Sequence, residues 1–242
     1  MLVLNDLVGY KNRKIYQDGE TFSFCLDSIL LANFTNINYN DKKILDLGCG
    51  NGVIPLILSL KTNALIVGVE IQKRLADMAI DSIKYNHLEN QIKIMTIDMK
   101  KLIDFYDINS FDVITCNPPY FKCNELSKKN LSIAKMNARH EVSIKLSDII
   151  SISKKLLKNK GKINLIHRCD RLVEVINLLK INGIEPKKIQ FIYNNQNSSA
   201  KLFLIQGIKN GREGLIVSDP IILYNNDGTM NDKYKLILEE VQ

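Results

Sequence analysis

No run of 18 or more apolar residues occurs in this 242-residue chain, so the sequence offers no candidate membrane-spanning helix. Its first residues, Met1 to Gly9, lack a basic segment followed by an apolar core and cleavage site, so no secretory leader is expected. None of the five cysteines (Cys25, Cys49, Cys116, Cys123, Cys169) forms a CxxC pair. The three histidines, His87, His140 and His167, do not cluster with them in sequence. No metal site is therefore expected, and reduced thiols in a cytoplasm are the default. Internal repeats and low-complexity linkers are also missing. The length suits one sizeable core and is short for two full domains.

What is present is an alternation of apolar runs and amphipathic stretches. A hydrophobic content of 45% with 24% charge fits a soluble globular protein. Residues 43–47, 65–70, 91–97, 111–116 and 161–167 read as strands. Helices are expected from Val53 to about Leu60, over 72–87, 146–157 and 170–181. Segments 187–193 and 201–208 read as two last strands, close enough to pair antiparallel. This pattern predicts an α/β fold, a Rossmann-like, doubly wound sheet covered by helices on both faces. Ahead of it lies an arm, 1–42, with a short helix expected near Leu26. About 40 residues are too few for a separate domain, so the arm should pack on the 43–209 core. Residues 210–242, a C-terminal extension, carry turn signals such as Asn225-Asn226-Asp227-Gly228.

Between the first core strand and its helix stands Asp46-Leu47-Gly48-Cys49-Gly50-Asn51-Gly52. Glycines there permit a tight turn and close approach of backbone to a ligand. A dinucleotide fingerprint needs glycine at position 53, where this chain has Val53. Asp46 would repel a pyrophosphate but could bind an ammonium group. Glu70 ends the second strand, where an acid can accept ribose hydroxyls. Asp98 ends the third, placed to accept from an adenine amine, although an acid there also serves as a helix N-cap. Three acids at successive strand ends describe an adenosine joined to an amino acid, which is S-adenosylmethionine.

After the fourth strand comes Thr115-Cys116-Asn117-Pro118-Pro119-Tyr120. Each proline lacks an N–H and pushes its predecessor out of the helical region. Asn117 and Pro118 are thus expected to be extended, offering the Asn117 side-chain oxygen and the Pro118 carbonyl as acceptors. Tyr120 adds a flat ring. The group that fits is planar and carries an NH2: adenine, cytosine or a side-chain amide. Its nitrogen is a poor nucleophile because the lone pair is delocalised. Two acceptors favour a pyramidal nitrogen as the transition state forms, which raises the rate. The competing reading is a plain strand-ending turn.

The net charge is +7, and its location is informative. Residues 121–160 hold ten basic side chains and three acids, an excess equal to that of the whole chain. A basic surface beginning just after the Asn-Pro-Pro-Tyr stretch suits a polyanion such as nucleic acid. Lysine runs are also found as ordinary solvated faces.

Residues 43–120 resemble the class I methyltransferase core, and Asn117-Pro118-Pro119-Tyr120 matches the motif of amino-group methyltransferases. The chain further resembles the bacterial tRNA1(Val) adenine-N6 methyltransferase family. That likeness rests on Phe22-Ser23-Phe24-Cys25-Leu26-Asp27-Ser28, with Leu30-Leu31-Ala32 following, and on Ala138-Arg139-His140-Glu141. It implies a seven-stranded sheet with the last strand antiparallel, S-adenosylmethionine as cofactor, and the adenine beside the anticodon as target. Cofactor contacts are implied for Asp46, Gly48, Cys49, Gly50 and Gly52, for Glu70 with Ile71, for Asp98 with Met99, and for Asn117. Asn117, Pro118, Pro119 and Tyr120 would carry the chemistry. Lys122, Lys128, Lys129, Arg139 and His140 would contact RNA, the histidine without acting as a base. A monomer free of metal and membrane is expected. The rivals are glutamine-N5 methyltransferases of release factors, DNA or rRNA adenine methyltransferases, and a non-catalytic RNA-binding module with a vestigial site.

Overall fold

The computed structural model describes residues 2–18, 26–119, 144–232 and 234–235. Expectations placed on Tyr120, Lys122, Lys128, Lys129, Arg139 and His140, and on Phe22 to Cys25 of the arm, lie outside the described residues.

The central sheet is built from β3 (Lys43–Leu47), β4 (Leu65–Glu70), β5 (Ile92–Thr96), β6 (Phe111–Cys116), β7 (Leu157–Arg168), β8 (Ile184–Tyr193) and β9 (Ala200–Lys209). Their spatial order is β5-β4-β3-β6-β7-β9-β8. Pairs among β3, β4, β5, β6 and β7 are parallel, while β9 runs antiparallel to both β7 and β8. This is the class I methyltransferase arrangement. It is extended beyond the expected seven strands by two-residue pieces, β10 (Ile216–Val217) and β11 (Ile221–Ile222), both parallel to β8.

Strands covered on both faces read as continuous apolar runs, and alternate residues sort to opposite cores. Ile44, Ile66, Val113 and Ile166 face a core shared with α1 (Leu26–Phe34), α2 (Val53–Leu58) and Ile83 of α3 (Lys73–Tyr85). Leu45, Val67, Ile114 and Leu165 face α4 (Leu146–Leu156) and α5 (Leu172–Ile181). Ile44, Val113, Ile166 and Leu165 have no exposed surface, and each such side chain contributes roughly 1.5–3 kcal/mol. α3 shows how a helix finds its face: Leu75, Ala76, Met78, Ala79, Ser82 and Ile83 form one buried stripe.

Three features differ from the sequence reading. The arm contains a β-hairpin, β1 (Leu2–Leu7) with β2 (Tyr10–Asp18), which apolar alternation did not reveal. The second edge of β2 is satisfied by side chains of α3 and of Asn86, its C-cap: Tyr16 N–H donates to Ser82 Oγ (2.9 Å), and Lys14 N–H donates to Asn86 Oδ1 (3.0 Å). β7 begins at Leu157 rather than Gly161, because Leu157 pairs with Phe111 before an irregularity. Regular pairing resumes at Lys162 opposite Val113. The third difference is in the C-terminal extension, where β10 and β11 form and only turn signals are legible in the sequence. Tyr234 is 2% exposed and lies in the same core cluster as α1.

Candidate active site

The strand order reverses between β3 and β6, with β4 and β5 on one side and β7 on the other. In open α/β sheets the crevice at such a point, beyond the carboxyl ends of the strands, is where ligands lie. Leu47 is in register with Cys116, so the chain leaves the two strands as Gly48 and Asn117 side by side.

Asp46 sits one step inside this edge and has no exposed surface. Thr115, its neighbour on β6, donates its hydroxyl to Asp46 Oδ1 at 2.7 Å. Asp46 Oδ2 is buried with no hydrogen-bond partner among the described residues. Burial raises the Asp46 pKa from 3.8 to about 7, the Thr115 hydrogen bond opposes this, and the nearby Glu70 charge adds to it. A cation arriving at Oδ2 would relieve both the desolvation and the missing contact.

The glycine turn is drawn back over β4. Gly48 and Cys49 both donate their N–H to the Val69 carbonyl, at 2.8 and 3.0 Å. Gly48, Gly50 and Gly52 all take positive φ (72°, 56° and 92°), where a side chain is strained. A Cβ on Gly48 or Gly50 would meet nothing within 4 Å, so the turn has open space along it. A Cβ on Gly52 would lie 3.2 Å from the Ala79 Cβ. Cys49 is buried, and burial together with the Asp46 and Glu70 charges pushes its thiol pKa well up. It packs rather than reacts.

Glu70 fastens the turn to the end of β4. Its Oε2 accepts from Gly50 N–H (3.1 Å) and its Oε1 from Gln72 N–H (2.9 Å). It is 6% exposed; burial raises its pKa, and these backbone donors hold it down. Ile71 beside it is 48% exposed, an apolar surface next to the acid. Asp98 caps the 3-10 turn Met99–Asp104, accepting from Lys100 N–H at 2.9 Å, which is the capping role that the sequence left open. Met99 is half-buried and packs into the α4 and α5 core.

Asn117 is half-buried, Pro118 buried and Pro119 exposed. Asn117 Nδ2 donates to Ser28 Oγ of α1 at 3.1 Å. The arm also reaches the glycine turn, where Asn51 Nδ2 donates to the Tyr16 carbonyl at 3.3 Å. Neither Ser28 nor Thr115 was singled out as a functional partner from sequence. Ser28 lies 89 residues from Asn117 and Thr115 lies 69 from Asp46, separations that no local pattern spans.

The residues present fit S-adenosylmethionine. Asp46 Oδ2 suits the ammonium, the open glycine turn suits a close-lying chain, and Glu70 suits the ribose. No group of three or more metal-ligating side chains is found among the described residues. Among them also, no helix is long and apolar enough to cross a membrane. A separate cavity of about 480 Å³ is lined by residues including Asp18, Lys73, Arg74 and Asp77, and shares none with the strand-end cluster. Four of its five charged side chains pair with one another, Lys73 with Asp77 at 2.7 Å and Arg74 with Asp18; Asp81 is the fifth.

Residues 26–171 match the methyltransferase small domain family. The chain is 25% identical over 200 residues to a tRNA1(Val) (adenine(37)-N6)-methyltransferase of Cytophaga hutchinsonii, covering 83% of this chain and 82% of that one. It is 33% identical over 160 residues to one of the same name from Histophilus somni, with 65% of each chain covered. A crystal structure of a predicted O-methyltransferase from Agrobacterium tumefaciens superposes with a TM-score of 0.67 at 18% identity, covering 89% of this chain and 96% of that one.

Proposed function

This chain belongs to the methyltransferase small domain family, and from that premise we propose that it methylates the N6 amine of an adenine in tRNA, next to the anticodon of tRNA1(Val). Fold and family make it a class I S-adenosylmethionine-dependent methyltransferase. When bound, that cofactor supplies an electrophilic methyl group on a sulfonium. Asp46 holds the ammonium end, Glu70 the ribose, and the turn at Gly48 to Gly52 lets the cofactor lie against backbone. Asp98 and Ile71 border the adenine, with Met99 packed behind.

The target adenine leaves its stack to reach the site. Asn117 and the Pro118 carbonyl take the two N6 protons, Pro119 holds the turn, and Tyr120 stacks on the base. Positioning supplies much of the acceleration. The attacking nitrogen needs no strong base, because the methylated ammonium is acidic enough to lose its proton to water. Lys122, Lys128, Lys129, Arg139 and His140 contact the RNA, whose single-stranded loops expose unstacked bases. The protein works as a cytoplasmic monomer, with the 1–42 arm and the 210–242 extension serving the 43–209 domain.

The observation that carries this reading is the position of Asn117. It emerges from β6 beside Gly48, directly above the register that holds Asp46, so an amide capable of accepting from an NH2 stands next to the turn that receives a methyl donor. The relatives' names support the tRNA target. The test is to incubate the purified protein with S-adenosylmethionine and unmodified tRNA, digest the RNA, and measure nucleosides by mass spectrometry. N6-methyladenosine in the anticodon-loop fragment of tRNA1(Val) is expected. Methylation of a release-factor glutamine with none on tRNA would replace this function with the amide reading.

A further inference from the structure

We propose that Ser28 is a positioning residue for methyl transfer, holding the Asn117 amide in the one orientation that presents its oxygen to the substrate amine. The proposal rests on the reading of Asn117 given above. A side-chain amide is planar, with oxygen and nitrogen on opposite sides of the terminal carbon. Turning it over exchanges an acceptor for a donor. With the nitrogen turned toward the substrate, donor would meet donor and the amine would lose its acceptor. Ser28 Oγ accepts from Asn117 Nδ2 at 3.1 Å. With the nitrogen on Ser28, the amide oxygen lies on the other side of the terminal carbon, away from α1.

The helix that carries the hydroxyl is well packed. Ser28 is in the first turn of α1, whose Ile29, Leu30, Leu31 and Ala32 are buried. The far end of that helix is tied by Lys61 Nζ to the Ala32 carbonyl at 2.7 Å, and by the Tyr10 hydroxyl to Asn33 Oδ1 at 3.0 Å. Asn117 has a fixed backbone on its other side, where Pro118 limits it to extended conformations. The hydrogen bond therefore joins two rigid elements. It gives the arm a part in the chemistry: α1 sets the orientation of an amide 89 residues further along.

Ser28→Ala and Ser28→Thr test this with two independent readouts. For methyl transfer to tRNA, Ser28→Ala should lower kcat at least tenfold while KM for tRNA and the Kd for S-adenosylmethionine stay within twofold. Ser28→Thr, which keeps the hydroxyl, should restore most of the rate. In nuclear magnetic resonance spectra, the Asn117 side-chain NH2 signals, identified by their loss in Asn117→Asp, should show slowed proton exchange in the native protein. That slowing should vanish in Ser28→Ala and return in Ser28→Thr. An unchanged kcat in Ser28→Ala overturns the proposal, as does a threonine variant no faster than alanine or an amide exchange rate indifferent to residue 28. If the native protein leaves tRNA unmethylated, the functional reading fails on its own, and the exchange measurement still decides whether Ser28 holds Asn117.

Discussion

Thr115 donates its hydroxyl to Asp46 Oδ1 at 2.7 Å, and the other carboxylate oxygen of Asp46 is buried without a partner among the described residues. The strand pair thus orients an acid at a cost, since a buried charge with half its hydrogen bonds missing is destabilising. The arrangement makes sense when the missing partner is a ligand cation. A site kept ready for a charge is less stable when empty than a neutral packing would be.

The pH dependence follows from the Asp46 pKa of about 7 against an ordinary 3.8. The folded protein keeps this proton over a range in which the unfolded chain has lost it. The contribution of Asp46 to stability therefore falls as pH rises from about 4 to about 7, and is level above that. Asp46→Asn removes the dependence. At pH 8 the ligand-free variant should melt several degrees above the native protein, yet bind S-adenosylmethionine at least a hundredfold more weakly by calorimetry. In the native protein affinity should drop as pH falls below about 7, because the neutral acid no longer attracts an ammonium. A pH-independent Kd between 5.5 and 8, or a destabilised Asp46→Asn, would count against this account of the carboxylate.

Gly50 and Gly52 are predicted to fail in different ways. Alanine at either must adopt a left-handed backbone, costing roughly 1–2 kcal/mol. At Gly52 the new Cβ also lies 3.2 Å from Ala79 of α3, so the start of α2 must shift. Gly52→Ala should lower Tm by about 4–8 °C, with a smaller effect on cofactor affinity. At Gly50 the new Cβ meets no protein atom within 4 Å and projects into open space along the turn. Gly50→Ala should lower Tm by only a few degrees but weaken cofactor binding tenfold or more. Thermal melts with and without S-adenosylmethionine separate the two, and equal losses of affinity would remove the turn from the binding site.

Asn117→Ala should reduce single-turnover methyl transfer by about 10³-fold, a loss comparable to removing a donor from an oxyanion hole. Its Kd for S-adenosylmethionine should change less than threefold, since the amide acts mainly on the incoming amine. Asn117→Asp keeps an acceptor and should retain more activity than alanine. Turnover near the native rate in Asn117→Ala would remove the amide from the mechanism.

The parts legible in the sequence were those in which the signal is local. Residues 43–47, 65–70 and 111–116 are strands at the expected boundaries, because strands buried on both faces are short apolar runs closed by polar turns. Asp46 and Glu70 could be placed at strand ends for the same reason. The hairpin of the arm was missed because β1 exposes most of its side chains and β2 gets its second row of partners from Ser82 and Asn86, about 70 residues away. Ser28 stands in the Phe22 to Ser28 stretch that carries the family likeness, but that stretch does not show what Ser28 touches. A serine in the first turn of a helix is ordinary, and its meaning comes from tertiary packing that sets it against Asn117. The extension after 210 lacked strand-like runs because its strands are two residues long and exist by pairing with β8.

The last prediction concerns where the positive charge acts. Of the ten basic residues in 121–160, some are committed to structure: Lys158 pairs with Asp112 at 2.7 Å, and Lys160 donates to the Asn210 carbonyl. The five in 121–143 are Lys122, Lys128, Lys129, Lys135 and Arg139, opposed by Glu125 and Glu141, and they begin directly after the proposed catalytic stretch. Each phosphate neutralised by such a side chain adds about 0.7–0.9 to the slope of log K against log salt. Replacing both Lys128 and Lys129 by alanine should therefore make tRNA binding weaker at low salt and reduce that slope by about 1.4–1.8. S-adenosylmethionine binding should be unchanged. Lys158→Ala is the control: its charge is matched by Asp112, so the slope should stay at the native value even if the melting temperature falls. Filter-binding titrations over 50–300 mM salt measure all three proteins. An equal slope for the native and double-alanine proteins would mean that the basic stretch is solvated surface and that the RNA is held elsewhere.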